Sequence, residues 1–189
     1  MKKGIRAQSQ KSQLILVLPN IRSAHNVGSM FRTADAVGVD KIYLCGHTPT
    51  PVDKFGRISG PQREIAKTAL GAEKDISYEY IQNFSVLAKR LSKENAVLIG
   101  LEQHIDALRL EKKKDITILK KIIRSTTDTC GTSSGSAIVL VVGEEVSGMT
   151  ASEIRHMNHL IEIPMYGNKE SLNVSVATGI ALYTIKGLL

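Results

Sequence analysis

The stretch that decides the fold is "PNIRSAHNVGSMFRTADAVGVDKIYLC", residues 19–45. It leaves the end of an apolar strand, "LILVL" (14–18), runs through a helix and enters a second strand, "KIYLC" (41–45). Within 25–37, Val27, Met30, Phe31, Ala34 and Val37 recur at helical spacing and form one apolar stripe, the pattern of a helix lying on a sheet. Strand, helix, strand is a βα unit, and repeated βα units build a parallel sheet. The unit sets Asn20, Asn26 and Arg32 at or near the carboxyl edge of the sheet, where ligands of open α/β proteins bind. Arg32 lies off the stripe and reads either as a surface residue or as a group that reaches a phosphate or carboxylate. Asn26 reads either as a site residue or as the cap of its helix. The first strand ends in "PN", and no G-x-G-x-x-G follows any predicted strand, which speaks against a Rossmann dinucleotide site.

The same pattern repeats outward. Apolar runs at "AVLIG" (96–100), "AIVLVV" (137–142) and "HLIEI" (159–163), with "ISYEY" (76–80) as a further short strand, alternate with helical patterns at 62–70, 83–93, 115–124, 150–157 and 174–187. They predict an α/β fold with a mostly parallel sheet flanked by helices. The segment "STTDTCGTSSGS" (125–136) is a loop by composition and closes an insertion between two sheet strands. A length of 189 residues, without an internal repeat or linker, reads as a single domain, 1–189.

A hydrophobic fraction of 42% and a charged fraction of 23% are those of an ordinary globular protein, which sets disordered classes aside. No apolar run approaches the roughly 20 residues that span a bilayer. The basic start "MKKGIRAQSQKSQ" lacks the apolar core of a signal peptide. Cys45 and Cys130 are far apart and form no C-x-x-C, which fits a reducing cytoplasm better than a disulfide or a zinc site. His156 and His159 stand three apart with no third ligand nearby, so no metal is expected. The formal charge of +7 is concentrated in the tail 1–11, with Lys2, Lys3, Arg6 and Lys11, and in 109–124, with seven basic residues against two acidic. Such patches read either as solvated faces or as contacts for a polyanion, whose neutralised phosphates release counterions.

Two further segments end apolar strands. In "IVLVVGEEVSGMT" (138–150), Gly143 allows close backbone approach by a ligand and is followed by Glu144 and Glu145. Gly143 and Gly148 have the spacing of a P-loop, but Met149 stands where its Lys belongs, so that reading is rejected. Glu145 reads either as a site acid or as a cap or turn partner for the helix near 150. In "LIEIPMYGNKESLNVSVATGIALY" (160–183), Pro164 and a glycine-containing loop lead to Ser171, Asn173 and Ser175 at the mouth of an apolar helix. Capping needs only one of those three.

Together these segments resemble the three motifs of the SpoU/TrmH family of RNA 2′-O-ribose methyltransferases, in the SPOUT superfamily. "HNVGSMFRTADAVGV", "LVVGEEVSGM" and "IEIPMYGNKESLNVSVATGIALY" follow in the family's order, with "KTALGAE" (67–73) of familiar type between them. The resemblance implies a deep trefoil knot at the C-terminus, formed by roughly residues 139–189, one of the exceptions to unknotted chains. It also implies S-adenosyl-L-methionine bound in a bent form within the knot, and a homodimer. Carried over by motif, main-chain groups near Gly143, Ile163 and Leu172 hold the cofactor, while Asn26, Arg32, Glu145, Ser171 and Asn173 line the reaction site; Ser175 is left as a plain helix-start residue. The implied substrate is structured RNA, either tRNA or rRNA, and the ribose hydroxyl separates RNA from DNA. No DNA or membrane partner is expected. Two departures stand out: Glu144 replaces the second motif's usual Asn and adds charge near the cofactor's mouth, and the basic helix and polar loop at 106–134 are longer than the family's usual connection.

The family mechanism often gives the base role to the first-motif arginine, here Arg32. A guanidinium with a pKa above about 12 stays protonated at neutral pH. The expected role is therefore to hold the target nucleotide's phosphate and stabilise charge developing on the 2′ oxygen, with the proton leaving to that phosphate or to water. Glu145 is expected to orient Arg32 or Asn26. A noncatalytic RNA-binding or assembly protein that keeps the knot is the alternative, with RNA base methylation behind it. Retention of the five reaction-site residues favours catalysis, and the first motif favours ribose.

Overall fold

Every residue of β1 (Gln13–Pro19) after Gln13 is buried. A central strand of a parallel sheet is covered on both faces, so it reads as a continuous apolar run. Leu14, Leu16 and Leu18 face one core, and Ile15 and Val17 the other, as the two-residue pleat requires. α1 (Ala24–Val37) buries the predicted stripe and ends on Gly38 in the left-handed conformation, φ 76°. The chain then enters β2 (Lys41–Cys45), parallel to β1.

The computed structural model describes residues 12–128 and 137–189. Beyond β2 lie α2 (Gly60–Ala69), α3 (Ala72–Asp75), β3 (Tyr78–Ile81), α4 (Phe84–Lys93), β4 (Val97–Leu101), β5 (Leu108–Arg109), α5 (Lys113–Asp128), β6 (Ala137–Val142), α6 (Ala151–Ile154), β7 (His159–Glu162) and α7 (Val174–Leu188). One sheet holds all seven strands in the order β3-β2-β1-β6-β4-β7-β5, and every pairing is parallel. From β1 the chain builds outward through β2 and β3, then crosses to β4 on the opposite side. β6 enters between β1 and β4, and β7 joins the far side of β4. This reversal puts the switch point of the sheet between β1 and β6, and open α/β sheets form their ligand crevice at the carboxyl ends of the strands beside such a point.

Helices α1, α2, α5 and α7 cover one face of the sheet through Met30, Phe31, Ile65, Leu119, Ile123 and Leu182. α4 covers the other through Phe84, Leu87 and Leu91, with Met149 beside them. Full burial of each large side chain contributes about 1.5–3 kcal/mol. α1 and α2 touch at Gly28, where an added Cβ would lie 2.4 Å from the Ile65 carbonyl oxygen. Only glycine permits that approach.

Two helices differ from their predicted lengths. The one expected at 115–124 runs on to Asp128, because Ser125, Thr126 and Thr127 turn their hydroxyls back onto the helix carbonyls of Ile122 and Arg124. The rest of the composition-assigned loop, with Cys130, and the tail 1–11 lie outside the described residues. The helix expected at 150–157 stops at Ile154. Asn158 donates its N–H to Leu98 O (2.9 Å) and accepts from Leu98 N (2.8 Å), which draws the chain into the sheet instead. α3 and β5 are too short to leave a periodic signal. Among the described residues, no helix is long and apolar enough to cross a membrane.

Candidate active site

Ser23 has an extended backbone, and its hydroxyl accepts from Asn26 N at 3.3 Å, which makes it the cap of α1. The Asn26 side chain is thereby released from the capping role that its position allowed. It donates instead to Glu145, Nδ2 to Oε1 at 3.1 Å. Glu145 leaves the end of β6 and also accepts from Arg22 N (3.2 Å) and Ser23 N (3.1 Å). A carboxylate so placed meets the positive end of α1 and its free N–H groups. Partial burial pushes the Glu145 carboxyl up, but hydrogen bonds from Arg22, Asn26 and Ser23 outweigh it and hold the group below its ordinary value. Glu145 is thus an ionised acceptor at neutral pH and does not cap α6, whose capping box is Thr150 with Glu153.

The network continues into the third segment. Asn26 Oδ1 accepts from Asn173 Nδ2 at 3.1 Å. Asn173 also caps α7, accepting from Ser175 N (2.9 Å) and Ser175 Oγ (2.6 Å). Capping and site contact are therefore the same residue's two ends, and Ser175 serves the helix start. Glu145, Asn26 and Asn173 join three segments that lie 119 and 147 residues apart in sequence.

Beside this chain of contacts lies a cavity of about 310 Å³, at the carboxyl ends of β4, β6 and β7. Gly143, Ile163, Leu172, Ser171 and Glu145 all line it. Its volume lies in the range of small-molecule sites. The Gly143–Met149 loop folds back on itself through hydrogen bonds between Glu144 and Gly148 (3.3 and 3.1 Å). A Cβ on Gly143 would lie 2.7 Å from the Gly148 carbonyl carbon. Every charged residue lining the cavity is an acid: Glu102, Glu144, Glu145, Glu162 and Glu170.

Glu102 is a residue the sequence reading missed; its only signal is an acid directly after an apolar strand. Its Oε2 accepts from Met149 N at 2.5 Å and its Oε1 from Gln103 N at 3.0 Å, so it pins the loop from below. Met149, in the place of a P-loop Lys, is buried in the core. The charge that Glu144 adds is met by Arg22, whose Nε lies 2.9 Å from its Oε1. A larger, open hollow of about 470 Å³ near β5 shares Gln103 and Glu162 with the cavity but contains none of the predicted site residues.

Arg32 stands apart. It is exposed, does not line the cavity, and makes no hydrogen bond or ion pair among the described residues. At 1.5 Å per residue it sits about 9 Å along α1 from Asn26. Of the two groups offered for Glu145 to orient, it contacts Asn26 and not Arg32.

Residues 13–183 match the SpoU rRNA Methylase family. The chain is 33% identical over 178 residues to the 23S rRNA (guanosine-2′-O-)-methyltransferase RlmB of Haemophilus ducreyi, covering 94% of this chain and 61% of that protein. It is 28% identical over 169 residues to the Escherichia coli protein of the same name, covering 89% and 58%. The chain thus spans about three fifths of the length of the curated relatives it matches. Among solved structures, the TrmH/SpoU tRNA modifying enzyme of A. aeolicus superposes with a TM-score of 0.69 at 26% identity, over 95% of this chain and 77% of that one. An AdoMet-bound rRNA methyltransferase from Sinorhizobium meliloti has a TM-score of 0.71 at 23% identity, over 97% and 59%, a likeness of fold. A match that begins at the first residue of β1 and ends within α7 spans the sheet and all three site segments, and the chain belongs to the SpoU rRNA Methylase family.

Proposed function

We propose that this chain is an S-adenosyl-L-methionine-dependent methyltransferase acting on a ribose 2′-hydroxyl of tRNA or rRNA. The observation that carries the proposal is the Glu145–Asn26–Asn173 network at the rim of an acid-lined cavity. The cavity's residues fit the cofactor: Leu101, Val142 and Met165 offer apolar wall for an adenine, and the carboxylates suit a sulfonium and an ammonium. Main-chain groups at Gly143, Ile163 and Leu172 would hold it. When bound, the cofactor supplies a methyl group already activated by its sulfonium, so the protein's task is to position and polarise.

Asn26 and Asn173 each use one side-chain N–H in the network and keep a second for the incoming ribose. Glu145 fixes Asn26 and takes no proton. Ser171 offers a hydroxyl at the cavity wall. Arg32, permanently charged and unpaired among the described residues, grips the target nucleotide's phosphate and stabilises charge on the 2′ oxygen, while the proton leaves to that phosphate or to water.

The same reading treats 1–189 as one domain, with 139–189 threaded as the knot, in a reducing cytoplasm that suits the buried free thiol of Cys45. It also assigns a homodimer. Val176, Ile180 and Tyr183 follow one another at helical spacing along α7 and are 52%, 41% and 58% exposed. The opposite side of that helix buries Thr178, Ala181, Leu182 and Ile185. A stripe of this kind is suited to a second copy. Calorimetric titration with S-adenosyl-L-methionine, paired with transfer of its labelled methyl group into cellular RNA, tests the proposal. Binding with transfer is expected; binding without transfer to any RNA would leave the noncatalytic reading standing.

A further inference from the structure

We infer that the loop joining β2 to α2, residues 46–59, is a second RNA-contact element in which Phe55 stacks on an unpaired base next to the target nucleotide. The inference rests on the RNA reading above. Phe55 is 66% exposed, with Ile58 at 57% in the same loop. A single exposed apolar residue needs no explanation, but this ring is held in a built display. The Asp53 carboxylate accepts from Phe55 N, Arg57 N and Arg57 Nε, each at 2.8 Å. Asp53 N donates to Arg57 O at 3.0 Å, Gly56 N donates to Asp53 O at 2.9 Å, and Gly56 turns the chain with φ 74°. The ring therefore sits at the tip of a closed turn and loses little freedom when it is covered.

Its surroundings select the ligand. The Arg57 guanidinium lies 4.6 Å and the Lys54 ammonium 5.0 Å from the ring centroid. An aromatic face flanked by two cations is the combination that binds single-stranded nucleic acid, with base stacking on the ring or guanidinium and phosphates drawn to the cations. Arg63, exposed on α2, adds a further positive group.

Position ties the loop to the crevice. Asn20 Oδ1 accepts from His47 N (3.3 Å), Thr48 Oγ1 accepts from Ile21 N (3.0 Å) and donates to Leu18 O (2.7 Å), and Gln62 Nε2 donates to Thr50 O (3.3 Å). Asn20 and Ile21 run directly into Arg22 and Ser23, the backbone donors to Glu145. A nucleotide whose ribose enters the crevice thus brings its neighbour toward this loop.

The chain contains no tryptophan, so Phe55→Trp installs a single fluorescent reporter at the tip. Titration with bulk tRNA and with single-stranded oligouridylate is expected to quench its emission saturably, in step with the anisotropy of labelled copies of the same RNAs. Phe55→Ala is expected to weaken RNA binding about tenfold or more while leaving S-adenosyl-L-methionine affinity unchanged. RNA binding by anisotropy with unquenched tryptophan, and a Phe55→Ala protein that binds like wild type, would overturn the inference alone. If wild type binds neither RNA, both this inference and the RNA reading fall.

Discussion

Two regions of the same sheet edge are built on opposite principles. In the crevice, Glu145, Asn26, Asn173 and Ser23 are locked to one another, and Glu102 pins the loop beneath them. On the flank, Arg32 stands unpaired among the described residues, and Lys54 faces solvent. Atoms that must meet a small reactant within fractions of an ångström are preorganised, because reorganisation during transfer would raise the barrier. Groups that meet a large hydrated polyanion gain from reach and charge more than from fixed geometry.

Substitutions break this contrast in graded ways. The largest effect is expected at Arg32: Arg32→Ala should lower methyl transfer by on the order of 10²–10³-fold, and Arg32→Lys should not restore it, because an ammonium lacks the planar fork. Cofactor affinity should stay at the wild-type value by calorimetry, as Arg32 does not line the cavity. Full activity in Arg32→Lys with unchanged RNA binding would remove the special guanidinium role.

Gly143→Ala strikes the preorganised side. Its Cβ would lie 2.7 Å from the Gly148 carbonyl carbon and 2.8 Å from Met149 N, both backbone atoms that cannot step aside. Overpacking of this kind costs about 1–3 kcal/mol, so thermal melting should drop by several degrees and cofactor binding should weaken with it.

Glu145→Gln gives the smallest effect. It keeps the shape and loses the charge, and for a half-exposed group solvent screening trims the loss to about 1 kcal/mol or less. The folded-state pKa of Glu145 lies below its ordinary 4.5, so the latch stabilises fully above that value and fades as pH falls through the lowered one. Melting curves of wild type and variant should therefore differ at neutral pH and converge in acid.

The β1–α1–β2 unit was legible in the sequence because an apolar run and a 3.6-residue stripe leave unambiguous periods. The neighbours of each strand were not: nothing in "AIVLVV" says that β6 enters between β1 and β4. α5 outran its composition because hydroxyl side chains that usually leave a helix satisfied themselves within it. The three site segments were legible as motifs, and Asn173 both caps α7 and donates to Asn26, which is why a cap and a contact between segments looked like rivals there. Arg22 pairing with Glu144, and Glu102 under the loop, join residues far apart in sequence, and no local pattern announces such meetings.

The central claim is that the crevice delivers a methyl group to a ribose 2′-hydroxyl. RNA labelled by this protein from methyl-labelled S-adenosyl-L-methionine can be hydrolysed in alkali, which cleaves only where the 2′ oxygen is free to attack the adjoining phosphate. The account predicts label in alkali-resistant dinucleotides, absent with Arg32→Ala; label in alkali-released mononucleotides, or none despite measured cofactor binding, would contradict it.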